Sequence, residues 1–188
     1  MKTLYLIVGE SGSGKDTIVD KLCRDHHCTK LLSYTSREKR SADERTHIFV
    51  TREEIESLPG KIGYTEFAGN LYCATMRQAL TSDFYILDKA GIEYFKTHYR
   101  GNRPYKIIYI KTYPETRMYR MMMREKEKGS CGKDVARHAA ERLVHDRQAF
   151  RGIESIVDCI VENDGTIEEC TEKLWKYIQE CEENHKPL

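Results

Sequence analysis

The chain has 188 residues, of which 39% are hydrophobic and 32% are charged, and its formal net charge is +1. This length and composition are typical of one soluble globular domain, and the balanced charge gives no reason to expect a nucleic acid or an acidic membrane as partner. No apolar run approaches the roughly 18 residues that a membrane span requires.

The N-terminal apolar run is too short for a signal sequence. The seven cysteines contain no C-x-x-C pair and are odd in number. This pattern favours reduced thiols in a cytoplasmic protein over a disulfide framework or a zinc site.

The first predicted elements form a strand, a glycine-rich loop and a helix. An apolar run begins at Leu4, the loop Gly9-Glu-Ser-Gly-Ser-Gly-Lys15 follows, and a helical pattern runs from Asp16 to Cys23. This order is the context of a phosphate-binding P-loop. Glycines let backbone N–H groups surround an anion, the helix N-terminus adds positive charge, and the lysine reaches the β- and γ-phosphates. An ordinary glycine turn would not combine this spacing with the lysine. The predicted ATP-binding residues are Gly9, Ser11, Gly12, Ser13, Gly14, Lys15, Asp16 and Thr17.

Asp16 stands where a Ser or Thr hydroxyl usually follows the lysine and binds Mg²⁺. Two interpretations stay open for this residue. Asp is favoured at helix starts, so Asp16 could cap the helix. Mg²⁺ also prefers carboxylate oxygens, so Asp16 could be a metal ligand.

The next segment predicts a small lobe. Leu31 to Thr35 and Thr46 to Val50 are strand candidates, separated by a charged loop over 36–45. That loop is either a solvated face or, because it follows a strand end, an anion-binding segment. A capping box, Thr51 to Glu54, opens a short helix that Pro59-Gly60 ends. Short antiparallel strands are expected between Lys61 and Cys73, with a turn at Gly69-Asn70 and a helix over 75–80.

The second half predicts three further strands separated by helices. Phe84 to Leu87 is a buried strand that ends at Asp88, which is either an active-site acid or a helix N-cap. Tyr105 to Ile110 is another strand, and the helix after Pro114 carries Arg117, Arg120 and Arg124 on one face. The methionines of that helix are predicted to fill the core (Met118 and Met121 to Met123).

The rest of the chain completes the alternation of helices and strands. A polar connection over 125–133 leads to a helix that reaches about Phe150. Val157 to Val161 is the last strand, and Thr166 caps a final amphipathic helix in which Trp175 is a packing residue. Alternating strands and helices predict an α/β fold with a parallel sheet covered on both faces.

These motifs, in this order, resemble the guanylate kinase family over nearly the whole chain. The matching stretches are Gly9 to Lys15, Ser33 to Arg40, Phe49 to Glu54, Glu66 to Tyr72, Ile86 to Asp88, Arg142-Leu143 and Val161 to Asp164. The resemblance implies a single domain with a three-layer P-loop NTPase fold. Its parts would be a parallel-sheet core, a small mixed β/α acceptor-binding lobe over about 33–80, and a helical LID over about 117–147.

The resemblance also implies roles for individual residues. Four residues fall where the family holds the acceptor's phosphate, and arginine suits that position because a guanidinium pairs bidentately with phosphate. These four are Ser33, Arg37, Arg40 and Tyr72. Arg124 and Arg142 fall near the LID arginines that act with Lys15 in catalysis, and Asn163 falls where the family contacts adenine.

Several positions depart from the family pattern. His47 replaces a tyrosine on the acceptor phosphate, Gly63 replaces a glutamate that reads guanine, and Ala74 replaces a hydroxyl residue near guanine O6. Neither Gly nor Ala has a side chain that can make these hydrogen bonds. Glu66 and Asp88 are the remaining acidic candidates for acceptor binding. The run Gly-Lys-Asp-Thr and His47-Ile48 are also similar to ribose 1,5-bisphosphate phosphokinase.

The leading hypothesis is therefore an ATP- and Mg²⁺-dependent kinase that phosphorylates GMP or dGMP. A sugar-phosphate kinase acting on ribose 1,5-bisphosphate is the alternative. A non-catalytic guanylate-kinase-like binding module is a third hypothesis, which the intact P-loop disfavours. The sequence leaves open whether the protein is a monomer or a homodimer.

Overall fold

The computed structural model describes residues 2–39, 41–67, 69–127 and 133–184. Within them lie strands β1 (Leu4–Val8), β2 (Tyr34–Thr35), β3 (Ile48–Phe49), β4 (Thr65–Phe67), β5 (Asn70–Cys73), β6 (Phe84–Leu87), β7 (Tyr105–Lys111) and β8 (Cys159–Glu162). The helices are α1 (Lys15–His26), α2 (Arg52–Ser57), α3 (Met76–Thr81), α4 (Lys89–His98), α5 (Pro114–Glu127), α6 (Lys133–Ala149) and α7 (Ile167–Glu183). Two predicted features fall outside these ranges: Arg40, and most of the polar connection between α5 and α6.

The central sheet has the strand order β6-β1-β7-β8, and all of its pairs are parallel. Every residue of β1 is buried. Because successive side chains point to opposite faces, Leu4, Leu6 and Val8 pack in one core with α4, whereas Tyr5 and Ile7 pack in another with α1 and α7. The predicted α/β fold, with a parallel sheet covered on both faces, is confirmed.

A second, smaller sheet has the order β3-β2-β5-β4. The β4–β5 hairpin is antiparallel, as predicted, whereas β2 pairs parallel to β3. The predicted strand over 31–35 is shorter than expected. Lys30 and Leu31 pair with Phe84 of the central sheet, and only Tyr34 and Thr35 pair in the second sheet, so the chain changes sheets within this run.

Two of the predicted helix starts are confirmed. Both predicted capping boxes, at Thr51 and Thr166, are present with reciprocal hydrogen bonds. Helix α4 follows Asp88, as the N-cap interpretation of that residue implies, and Ile92 and Phe95 form its buried face. Among the α5 methionines, Met121 is buried as expected, but Met123 is exposed, so the core prediction is wrong for that residue.

No helix within the described residues is both long enough and apolar enough to cross a membrane.

Candidate active site

The P-loop connects β1 to α1 in a conformation that requires glycine. Gly12 and Gly14 have φ angles of 78° and 85°, in the left-handed region. A Cβ at Gly12 would lie 2.7 Å from the Arg117 carbonyl oxygen, and one at Gly14 would lie 2.6 Å from Asn163 Nδ2. Both backbone strain and lack of space therefore exclude a side chain, and the loop stays narrow enough for its N–H groups to face one anion.

Lys15 begins α1 and lines a cleft of about 560 Å³. Burial lowers the pKa of its ammonium group, although the charges of Asp16 and Asp146 act in the opposite direction. Its hydrogen bond to the Glu10 carbonyl oxygen is long, at 3.4 Å. A desolvated cation of this kind is stabilised when a phosphate anion enters the cleft.

Asp16 does not cap α1, and that interpretation is wrong. The N-cap is Gly14, and Asp16 lies inside the first turn with its side chain 64% exposed. Its carboxylate lies 4.0 Å from the Lys30 ammonium and lines the same cleft as Lys15. An acid in a first turn still interacts favourably with the helix dipole, and the exposed carboxylate is available to a cation.

The arginine face of α5 turns towards the P-loop. Arg117 is only 3% exposed and donates through Nε to the Ser11 carbonyl oxygen (2.9 Å). Arg120 donates to the Asn163 carbonyl oxygen (3.0 Å), whereas Arg124 at the far end is exposed. Arg124 nevertheless lies near enough to lower the pKa of Lys15 by charge repulsion.

Asn163 is buried behind the loop. Its side-chain amide donates to the Ser13 carbonyl oxygen at 2.7 Å, and the residue is only 4% exposed. The structure thus gives Asn163 a role in holding the P-loop, and its predicted contact with adenine stays a prediction.

Sequence reasoning missed a buried ionic cluster that joins the P-loop to α5 and α6. Arg117 pairs with Glu10 Oε1 (2.8 Å) and with Asp146 Oδ2 (2.9 Å), and the Tyr109 hydroxyl donates to Glu10 Oε2 (2.8 Å). Asp146 Oδ2 also accepts from the Ser11 N–H at 2.7 Å. The only sequence signal for this cluster was the arginine face of α5, because its acidic partners lie far away along the chain.

Several predicted acceptor-binding residues line the cleft that holds Lys15. They are Ser33, His47, Glu66, Tyr72 and Asp88. The Ser33 hydroxyl and His47 Nδ1 are hydrogen-bonded at 3.0 Å, and the rings of His47 and Tyr72 meet edge to face, 5.6 Å apart. His47 therefore lies at the wall of the cleft, beside Ser33 and Tyr72.

Arg37, the predicted phosphate ligand, is engaged by a carboxylate. Its two terminal nitrogens donate to Glu44 at 2.7 Å and 3.2 Å, and Nη1 also donates to the Glu38 carbonyl oxygen at 2.6 Å. The hydrogen bond to Glu44 is the main reason that the pKa of Arg37 is raised. An acceptor phosphate would therefore share this guanidinium with Glu44.

Asp88 is the N-cap of α4, as one of its two interpretations predicted, and its role as an active-site acid stays a prediction. Its Oδ1 accepts from the Gly91 N–H at 2.6 Å and caps α4, while the residue also lines the cleft. Burial raises the pKa of Asp88, whereas the Gly91 hydrogen bond and the charge of Lys15 act to lower it. Because this carboxylate caps α4, its position at the wall of the cleft is fixed.

Tyr85 fills the space where a side chain at position 63 would lie. Gly63 has a φ of 68°, and a Cβ there would be 2.2 Å from the Tyr85 hydroxyl oxygen. That hydroxyl donates to the Gly63 carbonyl oxygen at 3.3 Å. Ala74 is fully buried, and Glu66 pairs with Arg52 at 3.0 Å. A side chain at position 63 is therefore excluded by Tyr85, whatever its chemistry.

The two sides of the cleft meet at Phe67. The Arg142 guanidinium lies 5.8 Å from the Phe67 ring centre, and the His145 ring meets it edge to face at 5.5 Å. Phe67 belongs to β4, and both of its partners belong to α6. Helix α6 therefore covers the cleft and presents Arg142 to it.

Comparisons with known proteins show similarity to guanylate kinases in both sequence and fold. The guanylate kinase family model matches residues 1–181. A guanylate kinase of Mycoplasmoides gallisepticum is 29% identical, covering 94% of this chain and 93% of that protein. A guanylate kinase of Sus scrofa is 35% identical over 36% of this chain and 37% of its own length. The crystal structure of guanylate kinase from Anaplasma phagocytophilum has a TM-score of 0.63 at 20% identity, covering 98% of this chain and 87% of that one.

The parallel sheet, the glycine-dependent loop and the lysine at the head of α1 define a P-loop α/β protein. Since the family model covers nearly all of its length, the chain belongs to the guanylate kinase family.

Proposed function

We propose that the protein is a nucleoside monophosphate kinase that transfers a phosphoryl group from ATP to GMP or dGMP. One observation carries the proposal: Lys15 of the P-loop and the acceptor-lobe residues Ser33, His47 and Tyr72 line the same cleft. A donor triphosphate and a phosphate-bearing acceptor can thus meet in one enclosure, and positioning is the main requirement of phosphoryl transfer. The names of the relatives support guanine nucleotides.

The residues of the cleft suit ATP and Mg²⁺. The glycine-dependent loop and the α1 N-terminus supply N–H donors for phosphate, and Asp16 supplies an exposed carboxylate. No cluster of three potential metal ligands occurs among the described residues, so Mg²⁺ would be held by Asp16, phosphate oxygens and water, as this ion commonly is. When bound, the metal neutralises charge on the phosphates.

The protein's own groups have separate tasks in this reaction. Lys15 would neutralise the donor phosphates, and Arg124 and Arg142 would stabilise charge on the group in transfer. Ser33, Arg37, Arg40, His47 and Tyr72 would hold the acceptor phosphate, while Glu66 and Asp88 would face the rest of the acceptor. The lobe over about 33–80 and the LID over about 117–147 are the corresponding parts of the single domain.

The intact P-loop also supports an enzyme over a binding module. All six cysteines of the described residues are free thiols, which fits the cytoplasmic location that we propose.

The direct test is ADP production from ATP with separate acceptors: GMP, dGMP, AMP, CMP, UMP and ribose 1,5-bisphosphate. We expect the highest kcat/KM with GMP or dGMP. A clear preference for ribose 1,5-bisphosphate would move the assignment to the sugar-phosphate kinase, and no turnover with any acceptor would contradict an enzymatic role.

The same panel tests base discrimination. Neither Gly63 nor the methyl group of Ala74 can form a hydrogen bond with guanine. We therefore expect GMP to be favoured over AMP by far less than the ~10⁴-fold that a dedicated hydrogen-bonding pocket provides. Discrimination of ~10⁴-fold or more would mean that Glu66, Asp88 or backbone groups read guanine instead. The ratio of the two kcat/KM values decides between these outcomes.

Asp16→Asn tests the metal site. If Asp16 is a Mg²⁺ ligand, the variant should need several times more Mg²⁺ for half-maximal rate, because an amide is a weaker ligand than a carboxylate for this ion. Asp20→Asn is the matched control, since Asp20 lies one turn later on α1 and also pairs with Lys30. An equal Mg²⁺ requirement in both variants would refute the metal role.

A further inference from the structure

We propose that Asp146 is a positioning residue that fixes the P-loop and helix α6 relative to each other, so that Arg142 faces the reacting phosphates. The proposal rests on the kinase function above for its catalytic consequence. Its structural part, the restraint on the Ser11 peptide, does not depend on the identity of any substrate.

Both polar groups of the Ser11 main chain are held by side chains, one from α5 and one from α6, and α6 also lines the cleft. Asp146 of α6 accepts from the Ser11 N–H at 2.7 Å, and Arg117 of α5 donates to the Ser11 carbonyl oxygen at 2.9 Å. The two side chains also pair with each other at 2.9 Å, which closes the arrangement. Ser11 therefore cannot reorient its backbone without breaking at least one charge-assisted hydrogen bond.

The Asp146 carboxylate is enclosed, since its side chain is only 6% exposed. Arg117, with which it pairs, is held from the other side by Glu10, which in turn accepts from Tyr109. The cluster thus continues from α6 through the P-loop to β7. A buried, fully paired network of this kind is rigid, and removal of one member leaves another polar group without its partner.

Arg142 precedes Asp146 by one turn of α6. Residues four apart lie on the same face of a helix, and both side chains line the cleft. The hydrogen bond from Ser11 to Asp146 fixes the rotation of α6 about its axis at this point. That rotation directs Arg142 towards the cleft, where it meets Phe67.

The first test measures the restraint itself in the nucleotide-free protein by amide hydrogen exchange. Asp146→Ala should raise the exchange rate of the Ser11 amide by ~10-fold or more, because this N–H loses the acceptor that it has among the described residues and opens locally. Asp146→Asn should leave the rate near that of the wild type, since an amide oxygen can still accept. Amides of β1 should keep their protection in both variants. An unchanged Ser11 rate in Asp146→Ala would overturn the proposal.

The second test measures catalysis with a matched control. Asp134→Ala removes an exposed aspartate of the same helix that pairs with Arg137. This control variant should keep the kcat and KM of the wild type. Asp146→Ala should lower kcat by up to ~10²-fold, the scale of a misplaced catalytic group, with a smaller change in KM, and Asp146→Asn should restore most of the loss. Equal defects in the Asn and Ala variants would overturn the role of the hydrogen bond.

A double-mutant cycle links Asp146 to Arg142. If Asp146 acts through Arg142, Asp146→Ala should lower kcat little further in an Arg142→Ala background. Fully additive losses would refute that link. If Asp146→Ala fails to fold, a comparison of Asp146→Asn with Asp134→Asn still tests the proposal. The proposal requires that both of these variants keep a near-normal kcat and a near-normal exchange rate of the Ser11 amide. A wild type without kinase activity would contradict the proposed function and leave the exchange result as the test of the restraint.

Discussion

Replacing Lys15 with alanine should lower kcat for phosphoryl transfer by roughly 10²–10³-fold, the usual scale for removing one charge-stabilising group. The ammonium lies in the cleft with its pKa lowered by burial, and its hydrogen bond to the Glu10 carbonyl oxygen is long. The group is therefore poorly stabilised without phosphate and most strongly stabilised when charge develops beside it.

The same argument predicts that the Lys15→Ala variant stays folded, because little native stabilisation is lost with this side chain. Lys21→Ala is the matched control, since Lys21 lies on the same helix but pairs with Asp25. Steady-state kinetics and thermal unfolding should be measured on both variants. Near-normal turnover by Lys15→Ala would contradict the assignment of the phosphate site.

Replacing Arg37 with alanine should weaken acceptor binding by about 1.5–3 kcal/mol, the range for a hydrogen bond to a charged group. Affinity for ATP should be unchanged, because the loss is confined to the acceptor lobe. Titration calorimetry with each nucleotide separates the two affinities. Arg77→Ala, an exposed arginine on α3, is the control and should affect neither nucleotide.

Glu44 provides a second test of the role of Arg37. Its carboxylate accepts two hydrogen bonds from Arg37, so its negative charge lies where it would repel an acceptor phosphate bound to the same guanidinium. Glu44→Gln should therefore tighten acceptor binding when Arg37 is present and have little effect when Arg37 is alanine. Weaker binding in Glu44→Gln alone would mean that the carboxylate instead holds the guanidinium ready for phosphate.

The features that the sequence alone determined are those whose causes lie within a few neighbouring residues. The P-loop is specified by glycines and a lysine at fixed spacing after a buried strand. The boxes at Thr51 and Thr166 use partners only three residues away. The continuous apolar runs of the core strands and the apolar face of α7 are likewise visible without knowledge of distant residues, because they reflect the geometry of each element itself.

The tertiary structure decided which distant groups meet. Asp146 reaches Ser11, 135 residues away, and Arg117 turns inward to Glu10 and Asp146 although its spacing only placed it on a helix face. Likewise, Tyr85 occupies the space beside Gly63, and Gly14 takes the N-cap position that was one of two interpretations for Asp16. Hydrogen bonds and ion pairs between remote segments leave no periodic trace in the chain, because they depend on where folding brings each backbone. The sequence could therefore locate the P-loop, whereas the distant groups that hold this loop in place became visible only in three dimensions.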